Sequence, residues 1–175
     1  TSLLSSLDQA LDAAEGGRSC AVLLLGAPGM GKSAVLDAVR LEGLRRGWCV
    51  VMAAAPEDSS AAAFALVQDL VHDLLARSGH LGDGDQEALA SLVEPSRWQV
   101  HPVSTALREL LTDTAAECPL LALVDDLHWA DDESLSALTL AAARVGGERV
   151  AVVASAWPAL GDDPRLLGWT HLHLP

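Results

Sequence analysis

No apolar run in this sequence is long enough to cross a bilayer: Cys20 to Leu25 and Leu120 to Val124 fall far short of the roughly 20 residues that a spanning helix requires. The opening stretch, TSLLSSLDQALDAAEGG, lacks the basic start and compact apolar segment of a secretory signal. Positive charge is scarce as well. Eleven Lys and Arg face 24 Asp and Glu, a formal charge of −13, and this excludes a surface that grips nucleic acid, because such affinity comes mostly from basic residues neutralising phosphates. Cys20, Cys49 and Cys118 are odd in number and widely spaced, so they make neither a disulfide framework nor a zinc site. Their apolar neighbours predict buried free thiols in a reducing, cytoplasmic setting.

What remains is half apolar and one-fifth charged, the balance of a folded globular chain, and 175 residues suffice for one good-sized core. A single domain is therefore expected over residues 1–175. Leu3, Leu4, Leu7 and Leu11 recur at helical spacing before Gly16 and Gly17 stop the helix. Cys20 to Leu25 reads as a buried strand, followed by a helix that carries Val35, Leu36 and Val39 and ends near Gly47. Further strands are expected at Trp48 to Ala54, Leu120 to Val124, Arg149 to Ser155 and Thr170 to Leu174. Helices are expected at Ala61 to Arg77, Val103 to Glu117 and Asp132 to Arg144, with one short helix at Asp85 to Val93 inside the turn-rich stretch Ser78 to Pro102. Strands that alternate with helices predict an α/β fold, a parallel sheet covered on both faces.

Between the first strand and its helix stands Gly26-Ala27-Pro28-Gly29-Met30-Gly31-Lys32-Ser33, a match to G-x-x-x-x-G-K-[ST] at every fixed position. The glycines let the backbone curl so that N–H groups, through Ala34, converge on phosphates at the positive end of the helix. Lys32 would reach the β and γ phosphates of ATP, and the Ser33 hydroxyl would hold Mg²⁺. Lys32 is also the sole lysine among 11 basic residues. The sequence uses arginine wherever charge alone serves and keeps lysine where a compact ammonium fits. A GTPase is excluded on the same count, since its N-K-x-D element needs a second lysine.

The apolar strand Leu120 to Val124 ends in Asp125 and Asp126. Asp125 is expected to hold the metal's water shell and Asp126 to orient or activate the attacking water. Asp131, Asp132 and Glu133 read as a helix start rather than chemistry. His171 and His173 share one side of a short strand without a further ligand nearby, which makes a metal site there improbable.

At Val124-Asp125-Asp126-Leu127-His128-Trp129-Ala130-Asp131, followed by Ser134-Leu135, the sequence resembles the ATPase domain of large LuxR-type transcriptional regulators, within the signal-transduction ATPases with numerous domains, relatives of the AAA+ class. The resemblance runs from the first helix to the last strand. It implies a three-layer P-loop NTPase core with a five-stranded parallel sheet in the order 5-1-4-3-2, and an ATP-dependent switch inside a larger protein. DNA would then be contacted only through a helix-turn-helix outside this stretch, and this chain is expected to be a piece that also lacks the helical lid. A homo-oligomer, or a partner that supplies an arginine, is compatible with the family. Such ATPases carry a small hydroxyl residue at the end of the fourth strand and, two positions on, an arginine that senses the γ-phosphate. Ser155 matches the first, but Trp157 stands in the arginine's place, so slow hydrolysis is expected. Two alternatives are a nucleotide-binding scaffold without turnover and a small-molecule P-loop kinase; the kinase would need basic lid residues, and after Ser155 only Arg165 is offered.

Overall fold

The strands at the centre of this chain are apolar on both faces, so each needs cover on two sides, and a parallel sheet between two helical layers provides it. The computed structural model, which describes residues 2–57, 62–77 and 99–175, has this architecture. In chain order the elements are α1 (Leu3–Glu15), β1 (Cys20–Leu25), α2 (Lys32–Arg45), β2 (Cys49–Ala54), α3 (Ala65–Arg77), α4 (Val100–Glu117), β3 (Leu120–Asp125), α5 (Asp132–Arg144), β4 (Val150–Ala156) and β5 (Thr170–His173), with a 3₁₀ turn at Leu127–Trp129 and two more between β4 and β5. All strand pairs are parallel, and the spatial order is β2-β3-β4-β1-β5, which is the expected 5-1-4-3-2 viewed from the other edge.

Alternation along the strands divides the core into two layers. Val22, Leu24, Leu121, Leu123 and Val153 pack with Leu7 and Leu11 of α1 and Leu36 and Val39 of α2. Leu23, Leu25, Ala122, Val124 and Val152 point the other way, onto Leu70 of α3, Leu107 and Leu110 of α4 and Leu138 of α5. Helix α2 lies close on the sheet because Gly43 faces β3: a Cβ there would come within 2.7 Å of Leu121 Cδ2.

Several expectations shift at their edges. Helix α4 begins at Val100 rather than Val103 and takes Pro102 into its first turn, where a missing N–H costs little. Helix α3 starts at Ala65, not Ala61, because Phe64 has φ +63° and its N–H is held by the Asp131 carboxylate at 2.8 Å. The same oxygen, Asp131 Oδ1, accepts from Ser134 N–H at 2.7 Å as the N-cap of α5. One carboxylate thus joins the starts of two helices. Leu4, counted on the apolar stripe of α1, is in fact 55% exposed, since α1 rests on the sheet through Leu7, Leu11 and Ala14. The three cysteines are free but only partly buried. Cys20 donates to the Ala10 carbonyl, and burial pushes its thiol up to about 11, away from reactivity. The short helix expected at Asp85 to Val93 lies outside the described residues. Among those described, no helix is long and apolar enough to cross a membrane.

Candidate functional site

In open parallel sheets a ligand crevice forms beyond the carboxyl ends of the strands, and here those ends carry the glycine-rich loop, the acidic pair and Trp157. The loop leaves β1 at Gly26, whose N–H donates to the Ala156 carbonyl of β4 at 3.2 Å. Gly29 and Gly31 take φ of +80° and +82°, left-handed values that a side chain would strain, and they turn the chain into α2. Helix α2 starts without a side-chain cap on Gly31 and without an acidic residue in its first turn. Its leading N–H groups and the positive end of its dipole are therefore available to an anion. Lys32 is buried and lies across its own loop, its Nζ donating to the Ala27 carbonyl at 3.1 Å. Ser33, Ala34 and Met30 are exposed.

Across from the loop, β3 and β4 end side by side and their side chains bond. Ser155, fully buried, donates its hydroxyl to Asp125 Oδ1 at 2.5 Å and accepts the Asp126 N–H at 2.9 Å. The Asp126 N–H is also 3.0 Å from Asp125 Oδ1. Both contacts to Asp125 fall on Oδ1. Asp126 adopts φ +53°, a left-handed conformation that aspartate tolerates better than most residues, and this turns the chain into the 3₁₀ segment. The Asp126 side chain is 44% exposed.

Three aromatic rings complete this wall. Trp157, two residues past Ser155, stacks on His128 with ring centroids 4.1 Å apart and planes at 24°. Trp129 meets Trp157 edge-on at 4.9 Å and His128 at 5.1 Å. Burial holds the His128 pKa below its ordinary value, against the opposing pull of the Asp126 carboxylate, so the imidazole is neutral near pH 7.

The two walls enclose a cleft of about 420 Å³ between Gly29, Gly31, Lys32 and Ser33 on one side and Asp126, His128, Trp129 and Trp157 on the other. Pro28 and Glu57 also border it. Asp125 and Ser155 stand behind Asp126, tied to its N–H. Sequence reasoning located the loop, the acidic pair and Ser155, but it did not foresee that Ser155 bonds to Asp125 or that Trp157 covers His128. These are contacts between the ends of two strands far apart in sequence, and no local spacing encodes them. His171, weighed as a metal ligand, instead contacts the Leu166 carbonyl through Nε2 at 3.0 Å.

Comparison with known proteins agrees with this fold. The sequence profile of the AAA ATPase domain matches residues 1–153. The chain belongs to the AAA ATPase domain family. As an AAA ATPase domain it is a nucleotide-binding, P-loop protein. Its fold is similar to Drosophila ORC bound to DNA (14% identity, TM-score 0.53, covering 97% of this chain and 86% of that one). It is similar also to C. elegans PCH-2 (14%, 0.53, 99% and 42%) and to the replication initiator DnaA bound to AMPPCP and single-stranded DNA (16%, 0.50, 97% and 44%). At such identities the likeness is one of fold. The AAA ATPase domain spans less than half of the last two chains. No curated protein matches it in sequence.

Proposed function

We propose that this AAA ATPase domain is an ATP- and magnesium-binding switch that hydrolyses slowly, and that it serves a LuxR-type transcriptional regulator. The observation that carries this reading is the cleft itself, where an uncapped helix start and Lys32 face Asp126 while an indole, not a guanidinium, occupies the position two past Ser155. The loop from Gly26 to Ala34 would cradle the phosphates by its N–H groups, and Lys32 would leave the Ala27 carbonyl to bind the β and γ oxygens. Ser33, exposed at the second position of α2, would hold Mg²⁺ by its hydroxyl, with Asp125 orienting its water shell. The donor set fits, because Ser155 and the Asp126 N–H engage only Oδ1 of Asp125. Magnesium, when bound, would neutralise charge on the terminal phosphates. Ser155 positions Asp125 in this scheme, and Asp126 orients the attacking water.

Transfer of the γ-phosphoryl group spreads negative charge that cations must meet, and an arginine supplied in cis or by a partner is worth about 10³ to 10⁵ in rate in other P-loop enzymes. Trp157 offers none. Slow turnover follows until a partner subunit, a lid or a second copy contributes one, and DNA would be reached through a helix-turn-helix elsewhere in the polypeptide. The indole equally favours a second reading, a nucleotide-dependent scaffold without turnover.

Calorimetry and single-turnover hydrolysis test the proposal. Lys32→Ala is expected to lower Mg-ATP affinity by roughly 10- to 100-fold or more, the worth of a lost charge-assisted contact, with the melting curve little changed. Equal affinity of variant and parent would remove the P-loop assignment. Turnover at many per second by the parent alone would replace the switch with a self-sufficient ATPase, and none at all would leave the scaffold.

A further inference from the structure

Among the described residues, none makes a hydrogen bond with the His128 imidazole. Its side chain is only 7% exposed, and both ring nitrogens are closed off from water without a hydrogen bond. Asp126 Oδ1 stands 3.9 Å from Nδ1, beyond hydrogen-bonding distance. A neutral imidazole carries one N–H donor and one acceptor, and buried polar atoms are paired in the large majority of cases, so two orphans on one ring call for an explanation. The ring is not simply core filler. It borders the same cleft as Gly29, Gly31, Lys32 and Ser33, whose ammonium and N–H groups favour an anion.

The ring's surroundings also say how it is held. The 3₁₀ turn is closed by the Trp129 N–H on the Asp126 carbonyl at 2.9 Å and the Ala130 N–H on the Leu127 carbonyl at 3.0 Å, so the backbone under His128 is fixed. Its ring is retained by stacking on Trp157, a contact between side chains that can slide apart without breaking a hydrogen bond.

We infer that His128 reads the terminal phosphate of bound nucleotide: a triphosphate draws the imidazole out of the Trp157 stack to donate an N–H to a γ-phosphate oxygen, whereas a diphosphate leaves the stack closed. This rests on the ATP-binding reading above and adds to it a residue that separates ATP from ADP. Trp157 then has a role in place of charge. It stores the unpaired imidazole until a γ-phosphate is present, and the position of its indole follows the state of the nucleotide.

The test compares a magnesium complex of a non-hydrolysable ATP analogue with Mg-ADP by calorimetry, on the parent, His128→Phe and His128→Gln. Phenylalanine keeps a flat ring against Trp157 and removes both nitrogens; glutamine restores an N–H donor. His128→Phe is expected to weaken the triphosphate analogue roughly 10- to 100-fold, the worth of a hydrogen bond to a charged group, and to leave Mg-ADP within about twofold. His128→Gln should recover part of the loss. A folded His128→Phe with the parent's ratio of affinities, or with both affinities lowered equally, overturns the inference. Should His128→Phe fail to fold, ring-nitrogen resonances of the ¹⁵N-labelled parent decide instead: a shift with the triphosphate analogue and not with ADP is expected, and the same spectrum with both sinks the idea. Failure of the ATP-binding reading looks different, because then the parent binds neither nucleotide.

Discussion

The cleft's two walls use different physics. On the side of the glycine loop the wall is mainly backbone: Gly29 and Gly31 turn by left-handed φ, α2 presents its uncapped N–H groups, and Lys32 adds a charged side chain. On the side of β3 and β4 the wall is mainly side chain: Ser155 bonds to Asp125, and Trp157 covers His128. A backbone wall recognises what every nucleoside polyphosphate shares. A side-chain wall, assembled from two strand ends, can hold alternative arrangements.

The largest expected effect breaks the backbone wall alone. Gly31→Val places a β-branched residue at φ +82°, where no neighbour lies within 4 Å of its Cβ, so the cost is conformational and not a clash. Strain of about 1–3 kcal/mol would be relieved by reshaping the loop, with the loss of N–H groups aimed at the phosphates. Affinity for both Mg-ATP and Mg-ADP should fall by about 100-fold or more in calorimetry, two charge-assisted hydrogen bonds' worth, while thermal melting moves by a few degrees. Unchanged binding of both nucleotides would mean that the loop does not hold phosphate by its backbone.

The same contrast explains what could be read in advance. A glycine at a fixed spacing has one local reason to be there, so the turn between β1 and α2 was legible, as was, within one residue, the apolar strand that ends in Asp125. Sheet order was legible through resemblance, since strand pairing between distant segments leaves no local trace. The alternation of Leu23 and Leu24 to opposite layers was implicit in a strand apolar on both faces. The Trp157 and His128 stack was not legible: Trp157 reads only as standing where an arginine is expected, and only the sheet, by setting β3 beside β4, brings it within 4.1 Å of His128. The start of α3 was misplaced for a similar reason, because the residue that ends its capping turn, Phe64, is held by Asp131 from 67 positions away.

An intermediate effect is expected where the side-chain wall is opened from behind. Ser155→Ala removes the donor to Asp125 and one acceptor of the Asp126 N–H in a fully buried place. A part-buried carboxylate oxygen that loses one of its two partners should cost about 0.5–1.5 kcal/mol in urea unfolding. If Asp125 is oriented by this bond, the variant also loses part of the strengthening that magnesium gives to ATP binding, while magnesium-free affinity, set by the loop, stays close to the parent. Parental stability together with parental magnesium dependence would show that the two strand ends act independently, and the second wall would then be no unit at all.

The smallest effect belongs to a charge cluster outside both walls, and it sharpens the comparison by showing what a contact remote from the cleft does. Glu42 of α2 accepts from Arg45 and from Arg46, each at 2.7 Å, and Arg46 reaches across to Asp12 of α1 at 2.6 Å. These guanidinium groups hold the Glu42 carboxyl down to about 2 from an ordinary 4.5. A carboxylate with a depressed pKa contributes stability that is complete above its unfolded pKa and disappears as pH falls through its folded one. The parent is therefore expected to melt slightly above Glu42→Gln at pH 6, with the difference shrinking between about pH 4.5 and 2 and gone below it. Its size is small because the group faces water, which screens both partners. Thermal melts of the two proteins across that range measure it, and Mg-ATP affinity at neutral pH should be the same in both, since α1 and α2 meet on the layer of the sheet opposite α3, α4 and α5, and the clamp touches neither cleft wall. A gap between the melting curves that stays constant from pH 6 to 2 would mean that the carboxylate charge contributes nothing, and that Glu42 only packs against the stems of Arg45 and Arg46.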